Sequence, residues 1–175
     1  RTRCVFRGNE NVPGIDSVPS VRVLVTGGAG FLGQALCSAL QAQGHDVTSF
    51  QRSHSPALAA MGVRQVRGDL ADAAAVDAMV KGVNAIVHFG GISVEAAFEP
   101  ILQANILGVY NLYEAARKHG VKRVVFASSN HVTGFYKQSE TITLDHPARP
   151  DSLYGVSKAF GEDLSRMYYD RYGIE

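Results

Sequence analysis

The sequence predicts an α/β fold in which a doubly wound parallel sheet carries helices on both faces. From Val21 onward, short strand-like runs alternate with helical patterns. These runs are nearly all apolar, which is typical of parallel strands that are buried on both faces. The first run also leads directly into a glycine-rich turn and a helix. Because crossovers between parallel strands are almost always right-handed, the doubly wound arrangement follows.

The predicted elements follow one another in a regular strand–helix order. The strands are VRVLVT, HDVTSF, VRQVRG, NAIVHF and VKRVVFASS. The first helix, FLGQALCSALQAQG, has apolar residues at helical spacing and ends at Gly44, a residue type that suits the end of a helix. Further helices are predicted over SPALAAMG, LADAAAVDAMVKG and EPILQANILGVYNLYEAARKHG. The last helix starts near Ser152 and runs to about Tyr172.

Composition and charge exclude several classes of function. The chain has 175 residues, of which 46% are hydrophobic and 19% are charged, and its net charge is +1. Such a charge gives no field to attract nucleic acid or an anionic membrane, and no run approaches the roughly 18 apolar residues of a membrane span. The six histidines show no metal-ligand spacing. Cys4 and Cys37 do not form a disulfide framework, and Cys37 is predicted to be a reduced core residue, which favours the cytoplasm.

The two ends of the chain carry their own expectations. Residues 1–20 show no clear periodicity and hold two prolines and two glycines, so we expect a poorly ordered extension. At the other end, YYDRYGIE stops where a helix would lead into another strand. We therefore expect a truncated domain over residues 21–175, with its C-terminal substrate region missing.

The turn TGGAGFLG opens the first helix with Gly27, Gly30 and Gly33 at a spacing close to that of a dinucleotide-binding turn. Glycines there permit a tight turn and close approach of the backbone to a pyrophosphate, and the helix N-terminus attracts phosphate. Phe31 and Leu32 lie between these glycines. The same pattern would also suit a tight strand–helix turn without a ligand.

Two strand ends bear on which dinucleotide is bound. The second strand ends without an acidic residue to accept from the adenosine ribose, since Gln51 takes that place and Arg52 follows. A guanidinium suits a 2′-phosphate, so this end favours NADP, although Arg52 would also be stable in solvent. Asp69, in GDL, is predicted to accept from the adenine amino group and Leu70 to cover the ring. Asp69 would alternatively cap a helix beginning at Ala71.

The candidate reacting groups are Tyr154, Lys158 and Ser129. Tyr154 and Lys158 are four residues apart, so they project from the same face of the last helix. An ammonium close to a phenol stabilises the phenolate, which makes tyrosine usable as a general acid or base. The motif FASSN supplies a hydroxyl at the end of the fifth strand, where ligands bind in doubly wound sheets.

Together, TGGAGFLG, GDL, NAIVHFGG, ANILGVYNLYEAAR, FASSN and YGVSK resemble the extended short-chain dehydrogenase/reductases, also called the NAD-dependent epimerase/dehydratase family. The resemblance covers about residues 21–175 and implies a Rossmann-type domain that binds NAD or NADP. It implies that Tyr154 is the catalytic acid/base, that Lys158 bonds the nicotinamide ribose, and that Ser129 holds the substrate oxygen. It further implies that Asn105 supports the lysine and that the backbone of Gly90 and Gly91 passes close to the cofactor. Asn105 would otherwise be a buried packing amide.

The second half, with HFGGISVE, FASSNHVTGFY and ARPDSLYGVSKAFGEDLSRMYYDRYG, is similar to the uronate dehydrogenases. That resemblance implies oxidation of the C1 hydroxyl of glucuronate or galacturonate to a lactone with NAD. It implies that Ser93, Asn130 and His131 bind the sugar acid. His131 would alternatively serve only the loop, and Ser93 would serve as the N-cap of a helix over VEAAFE.

The first half, with GHDVTSFQRSHSPALAAMGVRQVRGDLAD, looks more like the 3β-hydroxysteroid-dehydrogenase-type and epimerase-like reductases. This leaves NAD and NADP open. It also keeps three alternatives to uronate oxidation: nucleotide-sugar epimerisation, steroid-type reduction, and a non-catalytic dinucleotide-binding module. The chain alone is expected to lack full activity. The family resemblance also suggests a homodimer formed by the helices that carry Asn105 and Tyr154, although their apolar residues would equally suit the core.

Overall fold

The computed structural model describes residues 19–175, and its centre is a five-stranded, all-parallel sheet. The strand order is β3-β2-β1-β4-β5. The strands are β1 (Arg22–Thr26), β2 (Asp46–Gln51), β3 (Arg64–Arg67), β4 (Ala85–His88) and β5 (Arg123–Phe126). This confirms the doubly wound sheet predicted from the sequence. The extension predicted over residues 1–20 lies outside the described residues except for its last two.

Helices connect the strands on both faces of the sheet. They are α1 (Phe31–Ala42), α2 (Pro56–Ala60), α3 (Ala73–Val80), α4 (Phe98–Ile101), α5 (Gly108–His119) and α6 (Leu153–Tyr172). A π-helical segment, Leu102–Leu107, joins α4 to α5, and a 3₁₀ turn, Asn130–Thr133, follows β5. As predicted, α1 ends next to Gly44, whose left-handed φ of +81° lets the chain leave the helix.

Two apolar clusters cover the two faces of the sheet because side chains alternate along each strand. Leu24 and Ile86 belong to the larger cluster, which packs mainly against α3, α5 and α6. Val23 and Val25 belong to the smaller one, which includes Cys37 on α1. Cys37 is a free, buried thiol, as predicted, and burial raises its pKa.

The segment predicted as one helix over residues 99–120 is interrupted in the structure. Between α4 and α5, the chain widens into the π-helical segment, which contains Asn105. A π-helical turn inserts extra backbone into a helix and often marks a functional site. Asn105 is 3% exposed and makes hydrogen bonds to Ile92 in the loop after β4 and to Ser157 on α6.

Within residues 19–175, no helix combines the length and the hydrophobicity that crossing a bilayer requires. In the same part of the chain, no cluster of three or more His, Cys, Asp or Glu side chains is arranged to hold a metal ion.

Candidate active site

A cleft of about 570 Å³ opens at the carboxyl ends of the strands, where β1 lies between β2 and β4 and the strand order reverses. Doubly wound sheets bind ligands at this position. The loops after β1, β2, β3 and β4 line the cleft together with residues of α4 and the π-helical segment. Eleven of the predicted site residues line it: Gly27, Gly30, Phe31, Leu32, Gly33, Arg52, Asp69, Leu70, Gly90, Gly91 and Ser93.

The backbone of the glycine turn forms a cradle, and at two of its positions only glycine fits. Gly27 has a left-handed φ of +73°, and a Cβ there would lie 2.9 Å from Gly90 N. A Cβ on Gly33 would lie 2.4 Å from Gly27 O, so α1 packs directly against the turn. At Gly30 a Cβ would meet only Gly27 O, at 3.4 Å, and no side chain caps the helix. The first N–H groups of α1 are therefore available to an anion such as a pyrophosphate.

The turn after β3 carries Asp69 and Leu70 into the cleft. The Asp69 Oδ1 atom accepts from Ala71 N–H at 2.9 Å, and the Leu70 carbonyl accepts from the Asn111 side chain at 2.9 Å. The alternative prediction that Asp69 caps a helix beginning at Ala71 is wrong. Asp72 caps α3, because its Oδ1 atom accepts from the N–H groups of the helix's second and third residues at 3.0 and 3.1 Å.

The loop after β4 is tied to the sheet through Thr26. The Gly90 N–H donates to Thr26 Oγ1 at 3.0 Å, and the same hydroxyl oxygen lies 2.6 Å from His88 Nδ1. Next to it, Gly91 has a φ of +129°, and a Cβ there would lie 2.6 Å from Asn105 Oδ1. These contacts fix the backbone at the floor of the cleft.

Asn105 joins this loop to α6. Its Oδ1 atom accepts from Ile92 N–H at 2.7 Å, while its Nδ2 group donates to the Ile92 carbonyl and to Ser157 Oγ, each at 2.9 Å. Ser157 Oγ in turn donates to the Tyr154 carbonyl at 2.7 Å. The amide is thus fully paired with protein groups, and it positions α6 relative to the cleft rather than contacting Lys158 directly.

Tyr154 and Lys158 lie on one face of α6, as their spacing predicts. The Lys158 Nζ atom is 5.7 Å from the centroid of the Tyr154 ring and donates to the Ala127 carbonyl at 2.8 Å. Both side chains are largely buried, and burial lowers the pKa of Lys158. Gly155, which follows Tyr154, allows close packing here, because a Cβ at this position would lie 2.4 Å from the His131 carbonyl oxygen.

The turn after β5 brings Ser129, Asn130 and His131 next to Tyr154. The His131 ring meets the Tyr154 ring edge-on, with centroids 5.6 Å apart. The His131 Nδ1 atom lies 2.8 Å from Asp151 Oδ1, and this contact holds the pKa of Asp151 below its usual range. Ser129 Oγ accepts from His131 N–H at 3.2 Å and donates to Asn130 Oδ1 at 3.4 Å.

The structure therefore places the predicted site residues in two adjoining groups. The cofactor candidates named above and Ser93 line the cleft, whereas Asn105, Ser129, Asn130, His131, Tyr154 and Lys158 do not belong to its lining. Among the described residues, no hydrogen bond joins the side chains of Ser129, Tyr154 and Lys158 to one another. The contacts of Asn105 connect the second group to the first.

Sequence reasoning missed Glu95, which fixes the start of α6. Its carboxylate accepts from Leu153 N–H at 3.2 Å and from Tyr154 N–H at 2.9 Å, where an anion is favoured at a helix N-terminus. The prediction that nearby Ser93 caps a helix over VEAAFE is wrong, because α4 begins only at Phe98, after Ala97. No local pattern signals the contacts of Glu95, since its partners are 58 and 59 residues away.

Buried His88 predicts a specific dependence of stability on pH. Burial, and secondarily the charge of Lys158, lowers the pKa of His88 to about 3, from 6.5 for a free side chain. Between these two pKa values, His88 binds a proton in the unfolded chain and stays neutral in the folded chain. The free energy of unfolding should therefore fall as the pH falls below 6.5, by up to about 1.4 kcal/mol per pH unit.

The matched variant is His88→Asn, which retains a polar partner for Thr26 and does not titrate. Urea unfolding of both chains at pH 6.5 and pH 5 should show an extra loss of about 1.6 kcal/mol in the unaltered chain. Equal losses in the two chains would contradict a neutral, buried His88.

Comparisons with known proteins agree with this geometry. The model of the NAD dependent epimerase/dehydratase family matches residues 23–175. Uronate dehydrogenase of Pseudomonas syringae pv. tomato is 56% identical over 158 residues, which are 90% of this chain and 57% of that protein. A solved mutant of uronate dehydrogenase has a TM-score of 0.84 at 55% identity, covering 89% of this chain and 56% of that one. The uronate dehydrogenase mutant from Agrobacterium tumefaciens complexed with NAD has a TM-score of 0.80 at 52% identity, covering 89% and 58%. The chain thus spans less than two thirds of the length of these relatives.

Proposed function

We propose, from the premise that the chain belongs to the NAD dependent epimerase/dehydratase family, that it is the dinucleotide-binding part of a uronate-oxidising dehydrogenase. The proposed reaction oxidises the C1 hydroxyl of a hexuronate such as glucuronate or galacturonate to its lactone. The family predicted from the sequence motifs, with a second half similar to uronate dehydrogenase, is confirmed. The observation that carries the proposed reaction is the 56% identity to uronate dehydrogenase over 90% of the chain.

The proposed cofactor is a nicotinamide adenine dinucleotide lying along the cleft. The glycine cradle supports this, because Gly30 leaves open space above free helix N–H groups, where a pyrophosphate fits. Asp69 and Leu70 would hold the adenine, and the backbone of Gly90 and Gly91 would flank the nicotinamide half. The A. tumefaciens relative was solved complexed with NAD, which supports a nicotinamide dinucleotide as the ligand. When bound, the nicotinamide ring accepts the hydride that leaves C1.

The proposed work of the protein is to position the sugar and move one proton. Tyr154 takes the C1 hydroxyl proton as general base, since the Lys158 ammonium lies on the same helix face, 5.7 Å from the centre of its ring. Lys158 stabilises the phenolate and would bond the nicotinamide ribose. Ser129 would hold the substrate oxygen.

The proposed sugar contacts come from polar groups around Tyr154. Asn130 and His131 follow the active-site serine, and Ser93 lies in the loop after β4 that also lines the cleft. These residues would bind the hydroxyl and carboxylate groups of the sugar acid. The neighbouring Asp151 holds the His131 ring at 2.8 Å, which would orient its other nitrogen for a ligand.

A substrate panel tests the proposed reaction. Formation of reduced nicotinamide should be detected with glucuronate and galacturonate and not with UDP-sugars or 3β-hydroxysteroids. The physical reason is that the groups around Tyr154 are small polar donors suited to a sugar acid. Turnover confined to a UDP-sugar or a steroid would indicate one of the alternative reductase functions. Dinucleotide binding without turnover of any substrate would agree both with a non-catalytic binding module and with a domain tested without its substrate region, and would leave the proposed reaction unsupported.

The proposed assembly is a homodimer formed by α5 and α6. Five large hydrophobic side chains on these helices remain exposed, and three of them are Tyr110 at 46%, Leu153 at 39% and Val156 at 49%. A second copy that packs against them would remove this surface from water.

A further inference from the structure

We propose that the adenosine end of the cleft is built for an adenosine that carries a 2′-phosphate, so that the dinucleotide is NADP. This inference rests on the proposed function, because it concerns the cofactor of the same site. It is carried by the end of β2, where three neighbouring residues line the cleft: Gln51, Arg52 and Ser53. Each of them disfavours a free 2′-hydroxyl or favours a phosphate in its place.

At this strand end, the residues that line the cleft include no carboxylate to accept from the ribose. Selectivity for NAD in this fold rests on an acidic side chain after the second strand, which accepts from the ribose hydroxyls. Among the described residues that line the cleft, Asp69 is the only acid. It follows β3 rather than β2, and its Oδ1 atom already accepts from Ala71 N–H.

Gln51, which takes the place of the acid, is held by hydrogen bonds to its neighbours. Its Nε2 group donates to Gln65 Oε1 at 2.8 Å, and its Oε1 atom accepts from the Ser49 hydroxyl. Gln65 is itself fixed, because it accepts from Ser55 N–H at 2.8 Å and donates to the Ser55 carbonyl at 3.0 Å. Both ends of the Gln51 amide are therefore bonded inside the protein, and a neutral amide lacks the charge with which a carboxylate accepts from the ribose hydroxyls.

Arg52, the next residue, carries a positive charge at the rim of the cleft. Its side chain is exposed at the rim of the cleft, and no acidic side chain within residues 19–175 forms an ion pair with it. The planar guanidinium matches a phosphate with two parallel hydrogen bonds, and the adjacent Ser53 hydroxyl adds a further donor. These two donors would bind a 2′-hydroxyl far more weakly than a dianionic 2′-phosphate.

Direct titration tests this inference without relying on catalysis. The chain is titrated with NADPH and with NADH while nicotinamide fluorescence is followed, and bound NADPH is displaced with adenosine 2′,5′-bisphosphate or AMP. We expect NADPH to bind about tenfold to a hundredfold more tightly than NADH, and the bisphosphate to displace it correspondingly better than AMP. Arg52→Asp should remove this preference because it replaces the phosphate ligand with a repelling charge.

The matched control is Arg64→Asp. Arg64 is an exposed arginine at the amino end of the neighbouring strand β3, away from the cleft, which it does not line. The two variants change the net charge by the same amount. The control should keep the NADPH preference. NADH binding at least as tightly as NADPH, or equal effects of the two variants, would overturn the inference while leaving a dinucleotide-binding dehydrogenase in place. Failure of the unaltered chain to bind either dinucleotide would overturn the proposed function and this inference together.

Discussion

Replacing Tyr154 with phenylalanine should lower the rate of the proposed uronate oxidation about 10³-fold and leave dinucleotide binding within about twofold. The variant removes only the hydroxyl that would accept the C1 proton. The ring stays in place because Tyr154 is only 9% exposed and its ring packs edge-on with that of His131. Lys158 keeps its bond to the Ala127 carbonyl. The rate is measured with saturating dinucleotide and uronate, and binding by nicotinamide fluorescence.

Tyr169→Phe is the control for this prediction. Tyr169 lies on the same helix, is 51% exposed, and loses the same atom without facing the site. Its rate should match that of the unaltered chain. If Tyr154→Phe turned over as fast as the control, Tyr154 would not be the proton acceptor. A loss of dinucleotide binding as large as the loss of rate would instead assign Tyr154 a packing role.

The features that the sequence predicted well are those with a fixed local geometry. A glycine turn between a strand and a helix allows few arrangements, and Gly27, Gly30 and Gly33 do line the cleft. Likewise, residues four apart on a helix share a face, so the sequence spacing alone pairs Tyr154 with Lys158. The strands were recognisable because parallel strands buried on both faces must be apolar.

The features that were missed depend on contacts between residues far apart in the chain. Glu95 reaches the start of α6 across 58 residues, and Asn105 reaches Ser157 across 52. The same limit applies to Gln51. The sequence places it at the end of β2, but its hydrogen bond to Gln65 depends on the register between β2 and β3. Residue type identifies a group able to make a hydrogen bond, whereas only the packed fold selects its partner.

The errors in helix starts have a different cause. Asp69 and Asp72 are both good N-cap residues, and the sequence alone does not say which one the chain uses. The structure uses Asp72 because Asp69 closes the preceding turn by accepting from Ala71 N–H. Asp69 is thereby left at the cleft, where the proposed contact with adenine needs it.

Replacing Gly33 with alanine should abolish measurable dinucleotide binding and lower the free energy of unfolding by about 1–3 kcal/mol. The added Cβ would lie 2.4 Å from Gly27 O and 2.6 Å from Gly28 Cα, well inside van der Waals contact. Both neighbours are backbone atoms, so no side-chain rotation relieves the overlap, and α1 must move away from the turn that would hold the pyrophosphate. Urea unfolding and nicotinamide fluorescence measure the two effects separately.

Gly30→Ala separates the effect on stability from the effect on dinucleotide binding. Its Cβ would meet only Gly27 O, at 3.4 Å, and its φ of −73° suits alanine, so the loss of stability should stay below about 1 kcal/mol. The methyl group would nevertheless occupy the space in which the phosphates would approach the helix N-terminus, so binding should weaken strongly. If Gly33→Ala left both properties unchanged, close packing of α1 against the turn would not be what builds the dinucleotide site. If Gly30→Ala bound as tightly as the unaltered chain, the pyrophosphate would not lie over the N-terminus of α1.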